Sequence, residues 1–262
     1  MPRIHLFELE DQAWFPRIIR DFATDYLHFM ERRFRLHEPV VPLLRDALRE
    51  SGSITVVDLC AGGGGPIADL QRDLAAQGVR PRFILTDRFP NLAAFERIAA
   101  EHPGIDVLAT PVDATDVPAT LRGFRTVFNA FHHFAPDQAR AILRSAVTAG
   151  QPIGIFEVPE RRVWLILATP LLTTLLVLLV TPFIRPFRWS RLVFTYLVPL
   201  VPLTCAWDGF VSQLRAYTPA ELDALAAEAG DPSYEWRSGK VRLANSPAHL
   251  TWLIGLPRRS AA

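Results

Sequence analysis

The feature that most limits the possible folds is an alternation, beginning at Ile54, of short apolar runs with helical patterns. The apolar runs predict seven strands, at Ile54–Leu59, Phe83–Thr86, Ile105–Ala109, Thr126–Asn129, Ile153–Glu157, Tyr234–Arg237 and His249–Leu256. Helices are predicted between them, one ending near Ala76 and others at Asn91–Ala100, Pro136–Ala149 and Pro219–Ala229. Strands and helices that alternate in this way form βαβ units. The sequence therefore predicts an α/β fold with a doubly wound, mostly parallel sheet.

The residues around this alternation suggest how a single domain over residues 1–262 is organised. Residues 1–50 are predicted to form a helical cap, because apolar side chains recur at three- and four-residue spacing from Trp14 to Tyr26 and a second helix stops at Gly52. Residues 52–159 hold the core of the sheet and 160–206 an apolar helical insert. Residues 207–262 complete the sheet.

Composition excludes several classes of protein. The chain has 28 basic and 27 acidic residues, so it lacks the basic excess that is typical of nucleic-acid binders. Cys60 and Cys205 are far apart and predict reduced thiols rather than a disulfide framework. The first residues carry Glu8, Glu10 and Asp11 and lack the apolar region of a signal peptide. We therefore expect the catalytic part to be cytoplasmic.

Polar and glycine residues follow the predicted strands, at the edge of the sheet where ligands of such folds bind. The first strand contains Asp58 and is followed by Cys60-Ala61 and the glycines 62–65. Later strands are followed by Asp87-Arg88 and Asp113-Ala114, and strand four ends in Asn129 and leads into His132-His133. Glycines allow a backbone to approach a ligand where a Cβ would clash. The sequence thus predicts one binding site assembled from four loops.

These four segments, over roughly residues 52–160, resemble in order the motifs of class I, Rossmann-like methyltransferases that use S-adenosylmethionine. The resemblance implies this cofactor and a reaction that transfers its methyl group to an O, N or C atom of a small acceptor. It also implies contacts with the methionine moiety and ribose from the first loop, with the ribose hydroxyls from the second, with the adenine amine from the third and with the methyl-transfer site from the fourth. The implied cofactor-binding residues are Asp58, Cys60, Ala61, Gly62, Gly64, Asp87, Arg88, Asp113, Ala114 and Asn129. Cys60 departs from the family pattern, since it stands where the first glycine is usual.

Two other functions stay open. A nicotinamide or flavin oxidoreductase shares the fold, but its G-x-G-x-x-G fingerprint, started at Gly62 and Gly64, meets Ile67 at the third position. A membrane-associated protein that binds the cofactor without catalysis is the other alternative. Each acidic residue taken singly is also compatible with a helix cap or a solvated loop.

The candidate catalytic residues are His132, His133 and Glu157. Imidazole titrates near neutrality, so either histidine is suited to act as a general base, if the acceptor has to lose a proton. Adjacent residues of an extended chain point in opposite directions, so at most one of the two is expected to face the acceptor. The alternative is that one histidine packs against an aromatic ring and the other bonds to backbone. Glu157 is expected to orient the acceptor or to cap a loop, and no metal site is predicted.

Candidates for the acceptor site come from outside the core of the sheet. Trp14 and Arg20 are predicted to lie over the pocket as part of the helical cap, with simple core packing of Trp14 and Phe15 as the alternative. Trp207 and Asp208 combine an aromatic ring with a carboxylate just before the last helix, and we predict that they line the acceptor site.

The insert carries a run of uncharged residues from Val163 to Ile184, which is long enough for a membrane-crossing helix. A second run, Leu192 to Ala206, is broken by two prolines. A single crossing is excluded because the last strands must return to the same sheet. Arginines 161, 162, 185, 188 and 191 flank the runs and favour shallow insertion over a deep hairpin. The insert predicts contact with a membrane surface and a lipophilic acceptor, with a helical lid or a dimer interface as the alternatives.

Overall fold

The computed structural model describes residues 1–258, which fold into two compact units. One unit, the sheet unit, comprises Leu36–Val158 together with the chain from Thr218 onward. The other, the helical unit, comprises Met1–Arg35 and Pro159–Tyr217. Two separate stretches of chain therefore build each unit.

The sheet unit contains a seven-stranded sheet in the order β3-β2-β1-β4-β5-β7-β6. Its strands are β1 (Thr55–Leu59), β2 (Arg82–Leu85), β3 (Ile105–Val107), β4 (Phe124–Phe128), β5 (Ile153–Glu157), β6 (Tyr234–Arg242) and β7 (His249–Pro257). The first five strands are parallel, and β7 is antiparallel to both of its neighbours. The prediction of a doubly wound, mostly parallel α/β sheet is confirmed.

Strand order explains where the site lies. The chain reverses its direction of progress across the sheet between β1 and β4, which pair directly from Val56 with Phe124 to Leu59 with Val127. Loops that leave these two strands diverge to opposite sides, which opens a crevice at their carboxyl ends. All strands predicted to precede a site loop end at this edge.

Helices α2 (Val40–Ser51), α3 (Ile67–Ala76), α4 (Leu92–Glu101), α5 (Pro136–Thr148) and α9 (Pro219–Ala229) complete the sheet unit. The last of these begins with a capping box, in which the Thr218 hydroxyl accepts from the Glu221 N–H and the Glu221 carboxylate accepts from the Thr218 N–H. The core is aliphatic and aromatic, with Val56, Leu70 and Phe124 completely buried.

The strand predicted at Tyr234–Arg237 extends five residues further, because the whole of β6 pairs with β7 in a long antiparallel hairpin. The two tryptophans of this hairpin pack over glycines on the neighbouring strand: Trp236 lies against Gly255 and Trp252 against Gly239. Side chains of β6 alternate between its two faces, but the segment includes a glycine and several charged residues. This pattern was too weak to predict the full length of β6 from the sequence.

The helical unit contains α1 (Arg17–Phe34), α6 (Val163–Val180), α7 (Trp189–Leu192) and α8 (Leu200–Arg215). A turn at Thr181–Phe183 follows α6. A π-helical stretch, Val193–Leu197, follows α7 and leads into α8. Their common core consists of residues from α1, from the end of α6, from the connection and from α8: Ile19, Phe22, Ala23, Tyr26, Val177, Ile184, Val201 and Cys205.

Two residues of the helical unit lie elsewhere than their sequence context suggested. Arg191, taken as a flanking charge, is buried: its guanidinium pairs with the carboxylate of Asp25 and also donates to the Ile184 carbonyl at 3.1 Å. Trp14 is 69% exposed, so the alternative that it packs in the core is wrong. Phe15 is half-buried and does contact the core.

Candidate active site

Asp58 is a buried acidic residue at the edge of the sheet. It is buried at the end of β1, and its Oδ1 accepts a hydrogen bond of 2.7 Å from the hydroxyl of Thr126 on the neighbouring strand β4. The hydroxyl of Thr86 donates to the Asp58 carbonyl at 2.9 Å. A buried carboxylate needs a donor, and the Thr126 hydroxyl supplies one. Thr126 and Thr86 therefore fix Asp58, and sequence analysis did not single out either of them.

The loop after β1 bends through four residues with positive φ. Cys60, Gly62, Gly64 and Gly65 have φ values of 61°, 52°, 103° and 47°. Cys60 thus adopts the conformation for which glycine is favoured, so its departure from the family pattern leaves the turn in place. Gly62 is exposed and a Cβ there would have no neighbour within 4 Å, whereas at Gly64 it would collide with Cδ1 of Ile98.

Asp87, after β2, ties the second loop to the first. Its Oδ2 accepts from the Gly62 N–H at 2.8 Å, and its Oδ1 accepts from the Phe89 N–H at 2.7 Å. Each carboxylate oxygen has a further lone pair, so the group can still accept two hydroxyl donors. Asp87 therefore both shapes the glycine loop and presents an acceptor beside it. Arg88 next to it is exposed and contacts the ring of Phe89.

Asp113, after β3, is held by its own loop. Its Oδ1 accepts from the Thr115 hydroxyl at 2.6 Å and from the Thr115 N–H at 2.9 Å, and these hydrogen bonds hold the pKa of Asp113 below its usual value. Arg88 lies 3.7 Å from Oδ2. Ala114 is buried beneath the loop. Asp113 is consequently ionised at neutral pH and can accept a hydrogen bond through Oδ2.

The loops together produce a strongly negative environment around Cys60. Burial raises the pKa of the Cys60 thiol far above its usual value, and the charges of Asp87, Asp58, Asp113 and Glu157 raise it further, in decreasing order. These four carboxylates follow or end four different strands. The thiol is therefore neutral and unreactive, and the site favours a cationic ligand.

His132 and Glu157 form a buried pair across the ends of β4 and β5. The Nδ1 atom of His132 lies 2.5 Å from Oε2 of Glu157, whose Oε1 accepts from the Phe131 N–H at 2.8 Å. A carboxylate only accepts hydrogen bonds, so Nδ1 carries a proton and donates to Glu157. Glu157 thus fixes the orientation of the His132 ring.

The assumption that the two histidines point in opposite directions is wrong. They lie on a single 3-10 turn, Phe131–His133, rather than in extended chain, and their ring centroids are 4.3 Å apart. His132 is buried and His133 is half-buried. The absence of a metal stays a prediction.

Asn129 marks the point where β4 leaves the sheet. It has a left-handed φ of 49°, which asparagine tolerates better than most residues, and its Oδ1 accepts from the Val158 N–H at 2.8 Å. The side chain thereby links the ends of β4 and β5 next to His132. A direct contact with the cofactor stays a prediction.

The four residues predicted for the acceptor site all belong to the helical unit. Three of them hold the N-terminal segment. Arg20 donates to the carbonyls of residues 10 and 12, the Trp207 indole donates to that of residue 7, and the buried Asp208 accepts from the N–H groups of residues 9 and 10. Burial is the main reason why the pKa of Asp208 is raised to about 7. Trp14 stands out into solvent. Their contact with an acceptor stays a prediction.

Strand order and the loops at the edge of the sheet define the class of fold: it is that of the class I methyltransferases. The comparisons with solved structures agree. The plantazolicin methyltransferase BpumL, solved with a monoazolic desmethyl analogue and S-adenosylhomocysteine, superposes with a TM-score of 0.59 over 96% of each chain, at 11% sequence identity. Human N-acetylserotonin methyltransferase, solved with S-adenosylmethionine, gives a TM-score of 0.53 at 12% identity and matches 95% of this chain.

Length separates this chain from several of the proteins that it resembles. It spans 60% of human N-acetylserotonin methyltransferase and 63% of an O-methyltransferase family protein from Burkholderia thailandensis, which has 15% identity and a TM-score of 0.49. No protein-family model matches the sequence, and no curated protein matches it. The similarity is thus one of fold.

Proposed function

We propose that this protein is an S-adenosylmethionine-dependent methyltransferase whose acceptor is a small, lipophilic molecule. The observation that carries the proposal is the placement of acidic residues around the glycine loop after β1: Asp58 is buried at the end of that strand, and Asp87 accepts from the N–H of Gly62. The cofactor is a sulfonium cation with a ribose and an adenine, and it needs negative charge, hydroxyl acceptors and close backbone approach. The four loops offer all three.

The residues fit the cofactor in a defined way. The exposed Gly62 leaves room for a ligand where a side chain would stand. Asp87 would accept from the ribose hydroxyls and Oδ2 of Asp113 from the adenine amine, while the buried Asp58 adds negative charge beneath the loop. When bound, the cofactor supplies a methyl group on a positively charged sulfur. A nicotinamide cofactor would instead bring a pyrophosphate toward these carboxylates, which would repel it.

His132 is assigned the role of general base. Its Nε2 would take a proton from an O–H or N–H acceptor as the methyl group arrives, and Glu157 would stabilise the imidazolium that forms. Asn129 and the N–H of Phe131 keep the ends of the two strands in register around this pair. The acceptor class is inferred from the helical unit, whose uncharged α6 is the most apolar segment of the chain.

The cofactor assignment is tested by calorimetric titration with S-adenosylhomocysteine, with NAD(H) and NADP(H) in parallel. We expect micromolar binding of the first and none of the others. Asp87→Ala removes two loop hydrogen bonds and the ribose acceptor, so affinity should fall at least tenfold, about 1.4 kcal/mol. Asp137→Ala is the matched control, because that carboxylate is 93% exposed at the start of α5. Selective binding of a nicotinamide cofactor would instead identify an oxidoreductase.

The base assignment is tested with Glu157→Gln. The amide would donate to Nδ1 and force the proton onto Nε2, so methyl transfer to an acceptor found by screening should slow by about 10²–10⁴-fold. Affinity for S-adenosylhomocysteine should stay within about threefold, which separates loss of the base from loss of the fold. His133→Asn is the comparison variant and should retain turnover. Equal loss in both variants would contradict the assignment to His132, and a wild-type protein that binds cofactor without turnover would support the non-catalytic alternative.

A further inference from the structure

The outward side of α6 is apolar along its whole length. Its exposed side chains recur at three- and four-residue spacing and include Leu167, 73% exposed, and Leu179, 67% exposed. We call this set the outward face; it consists of Trp164, Leu167, Leu171, Leu175 and Leu179 of α6 and Phe183 of the following turn. The opposite side of the helix is packed, with Ile166 and Val177 buried. Large apolar surfaces of this kind mark interaction sites.

The length and apolarity of this segment match a lipid environment better than a protein core. Val163–Phe183 has 21 residues and a mean hydropathy of 2.5, and at 1.5 Å per residue it extends over about 31 Å, enough to cross a bilayer. Only 17% of the residues in the most apolar part of this segment are buried. A core helix of a water-soluble protein would be mostly buried, and the segment lies too late in the chain to be a signal sequence.

Charge and aromatic residues indicate which surface would cover the outward face. The sequence has no acidic residue from Val163 to Trp207. Exposed Arg185 and Arg188 follow α6, and exposed Phe187 and Trp189 lie among them. Arg191 is not available, because it is paired with Asp25. Arginine next to tryptophan is typical of the boundary between acyl chains and headgroups, and uncompensated arginines complement anionic lipids.

The packing of α1 limits the depth of insertion. Residues of α1 share a core with Val177 of α6 and with Ile184, close to the end of the apolar segment. The same helix carries charged groups away from that core, among them Arg17 and Asp21. If α6 crossed the bilayer, α1 would have to enter the hydrocarbon with these charges, which is costly. Only the outward face can therefore meet lipid.

We propose that the helical unit docks on the surface of an anionic lipid bilayer, with α6 in the plane of the interface. The outward face then lies against the acyl chains, and Arg185 and Arg188 lie at the phosphates. This docking requires neither cofactor nor acceptor, and it stands independently of the proposed methyl transfer.

Flotation of the full chain with lipid vesicles tests the docking. Vesicles of phosphatidylcholine mixed equally with phosphatidylglycerol should carry the wild-type protein, and the double variant Leu171→Gln/Leu175→Gln should partition at least tenfold less. Ile54→Gln is the matched control: that residue is 81% exposed in the sheet unit, so partitioning should not change. Arg185→Gln/Arg188→Gln should reduce partitioning about fivefold for each charge on the anionic vesicles only.

Four results would overturn the proposal, and the last of them is a measurement of depth. The first is a wild-type protein that stays below the vesicles, and the second is a leucine variant that floats as well as the wild type. The third is light scattering that finds a lipid-free dimer which Leu171→Gln/Leu175→Gln dissociates, since the outward face would then cover a second copy. The depth of α6 in the bilayer is measured with the variant Leu171→Trp and brominated lipids. Bromine near the headgroup should quench the fluorescence of the added tryptophan more than bromine near the chain end. The reverse order would indicate a helix that crosses the bilayer.

Discussion

Replacing each of the two cysteines by glycine applies one chemical change to two opposite backbone conformations. Cys60 has a φ of 61°, and a residue with a Cβ costs about 1–2 kcal/mol in the left-handed region. Glycine removes that cost. Glycine also gives the unfolded chain more conformational freedom, which destabilises the fold by about 0.5–1 kcal/mol. Loss of the half-buried thiol removes about 1 kcal/mol of packing free energy. The terms nearly cancel, so Cys60→Gly should change the free energy of unfolding by less than about 1 kcal/mol.

Cys205 is buried in the middle of α8, where no left-handed strain exists to be relieved. Glycine there costs a few tenths of a kcal/mol in helix propensity relative to cysteine. It also removes a buried CH2–SH group and leaves a cavity, at about 1.5–2.5 kcal/mol. Cys205→Gly should therefore destabilise the chain by about 2–3 kcal/mol.

The assay is urea unfolding of the full chain, followed by circular dichroism and tryptophan fluorescence so that separate transitions of the two units would be seen. The predicted difference between the two variants is about 2 kcal/mol. Cys60→Gly should also keep its affinity for S-adenosylhomocysteine within about threefold, because the loop retains its path. The reasoning is refuted if the two variants lose equal stability, since the backbone at Cys60 would then not be strained.

Three further changes test other parts of the structure. Burial raises the pKa of Asp208 to about 7, so the folded chain holds a proton that the unfolded chain loses near pH 4. The free energy of unfolding should therefore fall as the pH rises from about 4 to 7. Asp208→Asn should reduce this fall in urea titrations at several pH values. Tyr234→Phe removes a hydroxyl whose single proton is shared between two carbonyl oxygens, at 3.0 and 2.8 Å, and should cost about 1–2 kcal/mol by the same method. Gly64→Ala should weaken binding of S-adenosylhomocysteine more than Gly65→Ala, because only the first added Cβ has a neighbour to strike; equal effects in calorimetry would count against this packing.

Sequence patterns predicted the sheet well because each strand of its core is a buried, β-branched or aromatic run. β5 was placed at Ile153–Glu157 without error, and α9 at Pro219–Ala229, where proline and a capping box set the start. β4 begins two residues before its predicted start, at Phe124, because Arg125 within it is polar yet buried. Local composition does not reveal that a charged side chain will be enclosed by tertiary packing.

The candidate site was predictable in its acidic residues and not in their supports. Asp58, Asp87 and Asp113 follow a pattern in the chain, whereas the hydroxyl of Thr126 reaches Asp58 only through the pairing of β1 with β4. The pair of His132 with Glu157 could have been anticipated, since Glu157 ends β5 and His132 follows the neighbouring strand β4 at the same edge. The local sequence did not predict the 3-10 turn that places both histidines on one side.

The helical unit is assembled from residues 1–35 and 159–217, and this division sets an order of events during synthesis. α1 leaves the ribosome first, yet the partners of Phe22 and Tyr26 in α6 and α8 emerge only after the whole parallel part of the sheet. At about 5–20 residues per second, the apolar side of α1 waits roughly 8–36 s for these partners. The apolar side of α1 is therefore without its core partners while the parallel strands are being made.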